Sequence, residues 1–439
     1  MPSSTRNTVA AATAGLVVAA GIWSTYSAHT SITELRGMAA RRSAETAIRG
    51  GSPERATIVI VVPMLHEADR GLDCIQHWCK LLDEHPELRL CLVTTERERV
   101  EAPDRVHTWD VINTDPVLHG FTEQGRAQIL HYPGVNRTYG EQLGWALDNL
   151  AATDVDYLYV TNADSRVTEE GCQEIIDLAA GGVRVAQQSA VFLGNLDQLS
   201  WLATGEAFFQ SRWTFEVELF RYLAGSGRLR WLPEWVASRW YQHAVGHGLL
   251  LACDYYRHLG GLPRPGYGLE DAALGVAIRS EGGHIEPFAT LECGDAPRNV
   301  RELQRQRSTW VRGPLCAPEY SIGAESAPFV LQGVSDGARW ALGLPFRILV
   351  LAVLPARYRA IAGAGLLLGL YGPVVRVLIG LRSLDVPAEA QPDRGDVIRG
   401  LTAYPFAAVS YWLGGFRGLL RLLRDLATRT PQIQQRTQE

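Results

Sequence analysis

The chain of 439 residues has almost no lysine: Lys80 is the single one among 42 basic residues, the rest being arginine. That excludes a G-K-[ST] phosphate loop and restricts any lysine Schiff base to position 80. Zinc-type and redox cysteine spacings are missing as well. The seven cysteines, at positions 74, 79, 91, 172, 253, 293 and 316, form no CxxC and no Cys/His cluster. They read as reduced core residues of a cytosol-facing domain. Positive charge is not in excess, since the net charge is -5 and the pI about 6.2, which argues against nucleic acid as a partner. No internal repeat or long low-complexity tract is visible. Polarity is scarce too. A mean hydropathy of -0.04 is high for a soluble protein and points to membrane segments.

Those segments lie at the two ends. Residues 8–26 are uncharged and about long enough to cross a bilayer as a helix. A cleaved signal peptide is the rival reading, but only Arg6 precedes the stretch and no clean A-x-A site follows. Arg36, Arg41, Arg42 and Arg49 lie downstream, so the positive-inside rule puts the following domain in the cytoplasm. Beyond Pro314, residues 342–354 are apolar but short, residues 360–381 contain Pro373 as an expected kink, and residues 402–413 form a third apolar stretch before amphipathic 417–424. Arg347 and Arg376 must snorkel or face protein, so some of these helices are expected to lie in the interface. The organisation expected is an anchor and linker (1–50, with 51–55 continuing the linker), a catalytic domain (51–320), membrane and interfacial helices (321–425) and a polar tail (426–439).

Between these ends strand and helix signals alternate. Residues 56–62 (ATIVIVV) are an unbroken β-branched run, the pattern of a strand buried on both faces, and Pro63 ends it. Apolar spacing predicts a helix over 72–85, a strand over 89–95, a helix over 142–150 and a strand over 157–161. Such alternation implies a mostly parallel α/β sheet covered on both sides. Further strands are expected at 183–191 and within 246–261, an acidic-start helix within 266–283 and a basic helix over 301–313. Residues 199–241 hold five of the twelve tryptophans, with Phe209, Trp213, Val217 and Phe220 at helical spacing. Ordinary core and a membrane-interface or sugar-stacking face both fit that pattern.

Some of these elements end in chemistry. The strand at 157–161 runs into Asn162-Ala163-Asp164-Ser165, carboxylate-bearing and at a strand's C-terminal edge, where open α/β sheets place ligands. An Asx-turn without a ligand is the simpler reading of those residues alone. Glu270 and Asp271 suit the positive end of their helix, which is also the plain structural explanation for them. The arginines of 301–313 read equally as phosphate ligands or as a solvated face.

Taken in order, Val62-Pro63-Met64-Leu65-His66-Glu67, Asn162-Ala163-Asp164, Glu270-Asp271 and Gln306–Trp310 ahead of apolar helices resemble the family-2 glycosyltransferases of GT-A fold. Within that family the chain is similar to the membrane-embedded synthases with a QxxRW motif, the cellulose, chitin and hyaluronan synthase type. The resemblance covers roughly residues 58 to 313 and implies a Rossmann-like, mostly parallel sheet. It implies an inverting transfer of sugar from a nucleotide sugar to a lipid-linked or polysaccharide acceptor at the plasma membrane, with a Mg²⁺ or Mn²⁺ ion. Residue by residue, it places Pro63 and Glu67 at the nucleotide, Asn162 and Asp164 at the DxD with Asp164 on the metal, and Glu270-Asp271 at the acidic pair with Asp271 the general base. Gln306 and Trp310 match QxxRW positions beside the diphosphate, with Arg307 and Arg312 as its cationic contacts. His247 and Gly248 lie in the turn near the acceptor.

The chain departs from that pattern at named positions. Asn162 stands for the first DxD aspartate, Thr309 for the QxxRW arginine, and Thr94-Thr95-Glu96 for the acidic pair after the second strand. Two alternatives therefore stay open: a polyprenyl-phosphate sugar donor, and a membrane scaffold that keeps the fold without turnover. A transporter is a distant third.

Overall fold

The computed structural model describes residues 3–48, 56–135, 138–237, 239–321, 323 and 326–429. The linker expected at 51–55, and the polar tail from residue 430 on, lie outside the described residues.

The sheet is built as the β-branched run demands. All six residues of β1 (Ile58–Pro63) are buried, because parallel neighbours flank it on both sides: β2 (Leu88–Thr95) and β4 (Tyr157–Val160). α2 (Gly71–Glu84) connects β1 to β2, and Trp78 on its inner face is fully buried against Tyr159. β3 (Ala127–Tyr132) continues the sheet beyond β2. Its outward, half-buried edge carries a weak apolar pattern, so no strand was expected there. α3 (Tyr139–Ala151) begins three residues earlier than its apolar spacing implies. Thr138 and Glu141 form a reciprocal capping box, with N–H to side-chain oxygen distances of 3.2 and 2.9 Å. α4 (Glu169–Ala180) follows β4.

The expected strand at 183–191 splits in two. β5 (Val185–Gln187) joins the main sheet and β6 (Ala190–Val191) a second one. Between them the buried amide of Gln188 is held by Tyr159 and Thr290, and Ser189 bonds Glu218, so these side chains pull the backbone out of the ladder. The aromatic stretch forms α5 (Trp201–Trp213), a π-helical turn (Thr214–Glu218) and α6 (Leu219–Gly225) in direct succession. Residues Ala203 to Arg212 are all buried, so the body of this helix is core. Trp201, Trp231 and Trp235 remain exposed. β7 (Leu249–Ala252) then inserts antiparallel between β4 and β5. After α7 (Glu270–Ser280), β8 (Glu286–Pro287) completes the main sheet in the order β3-β2-β1-β4-β7-β5-β8, and β9 (Glu292–Cys293) pairs with β6. The result is the mostly parallel α/β sheet expected. All seven cysteines are free and buried.

Five long helices stand outside this sheet scaffold among the described residues. α1 (Ser3–Ile48) is a single 46-residue helix, far longer than its apolar segment. α8 (Val300–Trp310) is the basic helix. The short apolar stretch at 342–354 is the end of a 27-residue helix, α9 (Ala327–Val353). α10 (Ala356–Leu381) runs on through Pro373, and α11 (Arg394–Thr428) merges the third apolar stretch and the amphipathic one into a single 35-residue helix. α1 and α10 pack closely in parallel, with Gly21 so near Gly365 that a Cβ on it would overlap the Gly365 carbonyl. Arg376 on α10 faces protein, donating to His29 Nδ1 of α1 at 3.0 Å, while Arg347 stays exposed on α9. Two helices among the described residues are long and apolar enough to cross a membrane, Asn7–Arg42 and Ala356–Leu381. α11 lies along α5 and α8, with Ile398, Phe406, Leu420 and Leu423 left exposed on its other side.

Candidate active site

The strand order fixes where a ligand can approach. From β1 the chain proceeds to β2 and β3 on one side, then returns to place β4 on the other. Loops leaving the carboxyl ends of β1 and β4 therefore diverge, and a crevice opens between them. A cavity of about 300 Å³ lies beside the end of β4, and its wall includes Asn162, His247, Glu270, Asp271, Gln306, Arg307 and Trp310. The sheet, α7 and α8 thus bring together residues that stand up to 148 positions apart in the sequence (310 - 162 = 148).

Other expected residues are placed elsewhere. Pro63 ends β1 inside the ladder. Glu67 is buried, its N–H held by Thr108 Oγ1 at 2.9 Å and its carbonyl by the Arg70 and Gly71 N–H groups, in the turn that leads into α2. Gly248 has φ 66°, and a Cβ there would overlap the Gln188 carbonyl. It is a turn residue whose carbonyl accepts the Gln188 N–H at 2.7 Å. Gly248→Ala should lower the melting temperature, by an amount equivalent to about 1–3 kcal/mol, in a thermal denaturation series. Arg312 is not among the residues that line the cavity. Its guanidinium turns away from the cavity and meets Asp425 of α11 at 2.5 Å, both side chains buried.

Asp271 occupies the first turn of α7, its Oδ1 accepting the Ala272 N–H at 2.7 Å. Burial pushes its carboxyl above the ordinary aspartate range, although the helix N–H groups and His247 pull the other way. Here the low-dielectric surroundings outweigh the helix terminus. Glu270 is raised likewise, first by burial and then by the Asp271 charge, with its carboxyl lodged against Gly140 at the start of α3.

Three acidic groups escaped the sequence reading. Glu218, at the end of the π-helical turn, reaches the same cavity and accepts the Ser189 hydroxyl at 2.6 Å. Burial pushes its carboxyl up to about 7. It adds a further protonatable carboxyl to Glu270 and Asp271, and π-turns recur at functional sites. Glu292, fully buried, pairs with His247 Nδ1. That carboxylate carries His247 up to about 9 against the opposing effect of burial. Asp295 lies beside Asp164, donating its N–H to Asp164 Oδ2 at 3.2 Å, and Arg70 bridges the two carboxylates at 3.7 and 3.1 Å. No local pattern marks any of the three, because each acquires its partner only through the fold.

The basic helix contributes from the other wall. Arg307 is buried between the rings of Trp310 and Tyr411, each centroid 4.7 Å away, and donates to Gln210 Oε1. Its Nε and Nη1, and the Oε1 of Gln306, have no hydrogen-bond partner among the described residues. Trp213, Trp340 and Tyr411 extend this wall with aromatic surface.

A divalent cation was expected on Asp164. Among the described residues no group of three His, Cys, Asp or Glu side chains forms a protein-built metal cage. Asp164 and Asp295 nevertheless stand close enough for the Asp164 charge, after burial, to raise the Asp295 carboxyl. Two carboxylates fit an ion of the Mg²⁺ kind, whose remaining ligands are waters and substrate phosphates.

Among solved structures the chain is similar to the mannosyltransferase PcManGT from Pyrobaculum calidifontis in complex with GDP-Man and Mn²⁺, with 14% identity over 90% of this chain and 99% of that one, at a TM-score of 0.46. It is also similar to S. aureus TarS 1–349 in complex with UDP-GlcNAc, with 8% identity over 85% and 92% of the two chains, at a TM-score of 0.39. No protein-family model and no curated protein matches the chain. At such identities and scores the likeness carries no chemistry. The geometry of the site has to carry it.

Proposed function

We propose that this chain is a membrane-bound inverting glycosyltransferase of the family-2, GT-A type, moving a sugar from a nucleotide sugar to a lipid-linked or polysaccharide acceptor. The observation that carries the reading is Asp271: a carboxylate of raised pKa in a cavity beside the carboxyl end of β4, next to the β1/β4 crevice. In that place a base takes the acceptor hydroxyl's proton while the oxygen attacks the anomeric carbon from the side opposite the leaving group. Glu270 lines the same cavity, its carboxyl raised by burial and then by the Asp271 charge. The aromatic wall of Trp213, Trp310 and Trp340 offers apolar surface to a sugar ring, while Tyr411 is sandwiched between Arg307 and Trp340. Gln306 Oε1, without a hydrogen-bond partner among the described residues, offers an acceptor for a hydroxyl.

The donor's diphosphate would lie towards Asp164, Asp295 and Arg70. A divalent cation held there by Asp164 and Asp295 supplies charge neutralisation for the leaving group. Asp164→Ala is expected to abolish Mn²⁺-dependent thermal stabilisation by a nucleoside diphosphate, while metal-independent melting stays near the wild-type value. Equal stabilisation of the variant would remove Asp164 from the metal. In the same reading 1–50 is the anchor, 51–320 the catalytic domain facing the cytoplasm and 321–425 the membrane and interfacial region, multi-pass in the plasma membrane. α1, α10 and the exposed apolar side of α11 support that arrangement.

The deciding experiment uses detergent-solubilised protein, a nucleotide-sugar panel with candidate glycolipid and glycan acceptors, and release of nucleoside diphosphate as the readout. Release from one donor that depends on acceptor is the expected result. No release and no nucleotide binding across the panel would favour a fold retained without turnover.

A further inference from the structure

The cavity holds one histidine whose surroundings exceed what packing needs. His247 sits between Gly246 and the left-handed Gly248, and its carbonyl accepts the Gln187 amide. Its Nδ1 contacts the Glu292 carboxylate, which is 0% exposed, and the Phe192 ring stands edge-on at 6.0 Å. The other Glu292 oxygen accepts the Thr161 hydroxyl at 3.4 Å. Thr161 is the first residue past β4 and the neighbour of Asn162 in the cavity wall, so Glu292 ties the imidazole to the sheet edge. With Nδ1 committed to Glu292, Nε2 hydrogen-bonds to none of the described residues. The charged groups around the ring are Glu292 on β9, Glu218 on the π-helical turn, Asp164 past β4 and Asp271 on α7.

We propose that His247 is a catalytic residue on the donor side, a fixed imidazolium that receives the charge of the departing diphosphate, with Glu292 as its positioning residue. The proposal rests on the glycosyl-transfer reading above and moves His247 from the acceptor role its sequence position implied. A buried ion pair is poor at stabilising a fold, because desolvating both charges offsets most of their attraction. Packing alone is served as well by two apolar side chains. The pair instead supplies a cation whose Nε2–H meets none of the described residues, in the same cavity wall as Asn162. Charge balance in the step is complete. The acceptor oxygen bonds to the anomeric carbon and its proton passes to Asp271. The bond from that carbon to the phosphate oxygen breaks and its electron pair stays on the diphosphate. His247 keeps its proton and donates Nε2–H to the new negative charge.

The test is nucleoside-diphosphate binding to the full-length protein in detergent, using UDP, GDP, ADP and CDP, from about pH 6 to pH 10, across the range in which a paired histidine titrates. Wild type is expected to bind one of them and to lose affinity as pH rises through about 9, where the imidazolium deprotonates. His247→Gln should bind about tenfold more weakly, the value of one charge-assisted hydrogen bond, and lack that break. The same variant is the control for titration of the nucleotide itself. Glu292→Gln should keep binding at acid pH but move the break down towards the ordinary histidine value of 6.5. A purely structural Glu292 would instead lower affinity equally at every pH. Wild-type binding that His247→Gln leaves unchanged in strength and pH dependence overturns this proposal alone. Absence of binding by wild type to every nucleotide overturns the glycosyl-transfer reading with it.

Discussion

Asp271→Asn is expected to lose sugar transfer by roughly 10²–10⁴-fold, the range a positioned general base contributes. Its nucleoside-diphosphate affinity should stay within a small factor of wild type, because the amide keeps the side chain's shape and still accepts the Ala272 N–H. The pH profile carries a second signature. Asp271 acts as base only when deprotonated, and burial raises its pKa above the ordinary aspartate range. The rate should therefore fall on the acid side at a pH higher than a surface aspartate would give. Glu270→Gln should leave this acid limb in place, because burial sets the Asp271 shift and the like-charge effect of the pair falls on Glu270. Transfer at wild-type rate by Asp271→Asn, measured by acceptor labelling in detergent, sinks the mechanism.

Arg312→Ala should be the most destabilising single change among the arginines of the basic segment, by about 3–5 kcal/mol, because it leaves the buried Asp425 carboxylate with only the long 3.5 Å contact of the exposed Arg424. The pair joins the end of α8 to α11 across 113 residues, so its loss loosens the wall that carries Arg307 and Trp310. Replacing both ends together, as Arg312→Met with Asp425→Leu, is expected to recover most of that stability. Desolvation of the two charges disappears along with their attraction. Thermal melts of the single and double variants decide between this and a donor-binding role. An Arg312→Ala protein that melts like wild type but no longer binds nucleotide would return Arg312 to the diphosphate.

The two arginines illustrate how far local reading reaches. Arg307 and Arg312 are equivalent in the sequence, five residues apart on a basic helix before apolar segments. Which of them meets the cavity depends on α11, a helix that begins some eighty residues further on (394 - 312 = 82). The same holds for the acidic groups. Asp271 was visible because a carboxylate at a helix start after a glycine-rich turn has a local signature. Glu292 was not, since it is a lone glutamate in a two-residue strand, and its meaning comes from His247, 45 positions away. The DxD region was half legible. Asp164 stood at a strand end, where a ligand was expected, but the second carboxylate beside it is Asp295, 131 residues on.

By itself the sequence determined what short-range periodicity and side-chain chemistry can encode. That includes the β-branched strand buried on both faces, the alternation that makes the sheet mostly parallel, the buried, unpaired cysteines, the apolar helices at both ends and Asp271 at the head of α7. Tertiary structure alone decided the antiparallel insertion of β7, the split between β5 and β6, the π-helical turn that delivers Glu218, and the partners of Arg312, His247 and Asp164. The reason is physical: helix and strand formation is driven by neighbours a few residues apart, whereas a buried charge is stable only beside an opposite charge or a donor. Which distant residue supplies that partner is chosen by the packing of the whole chain.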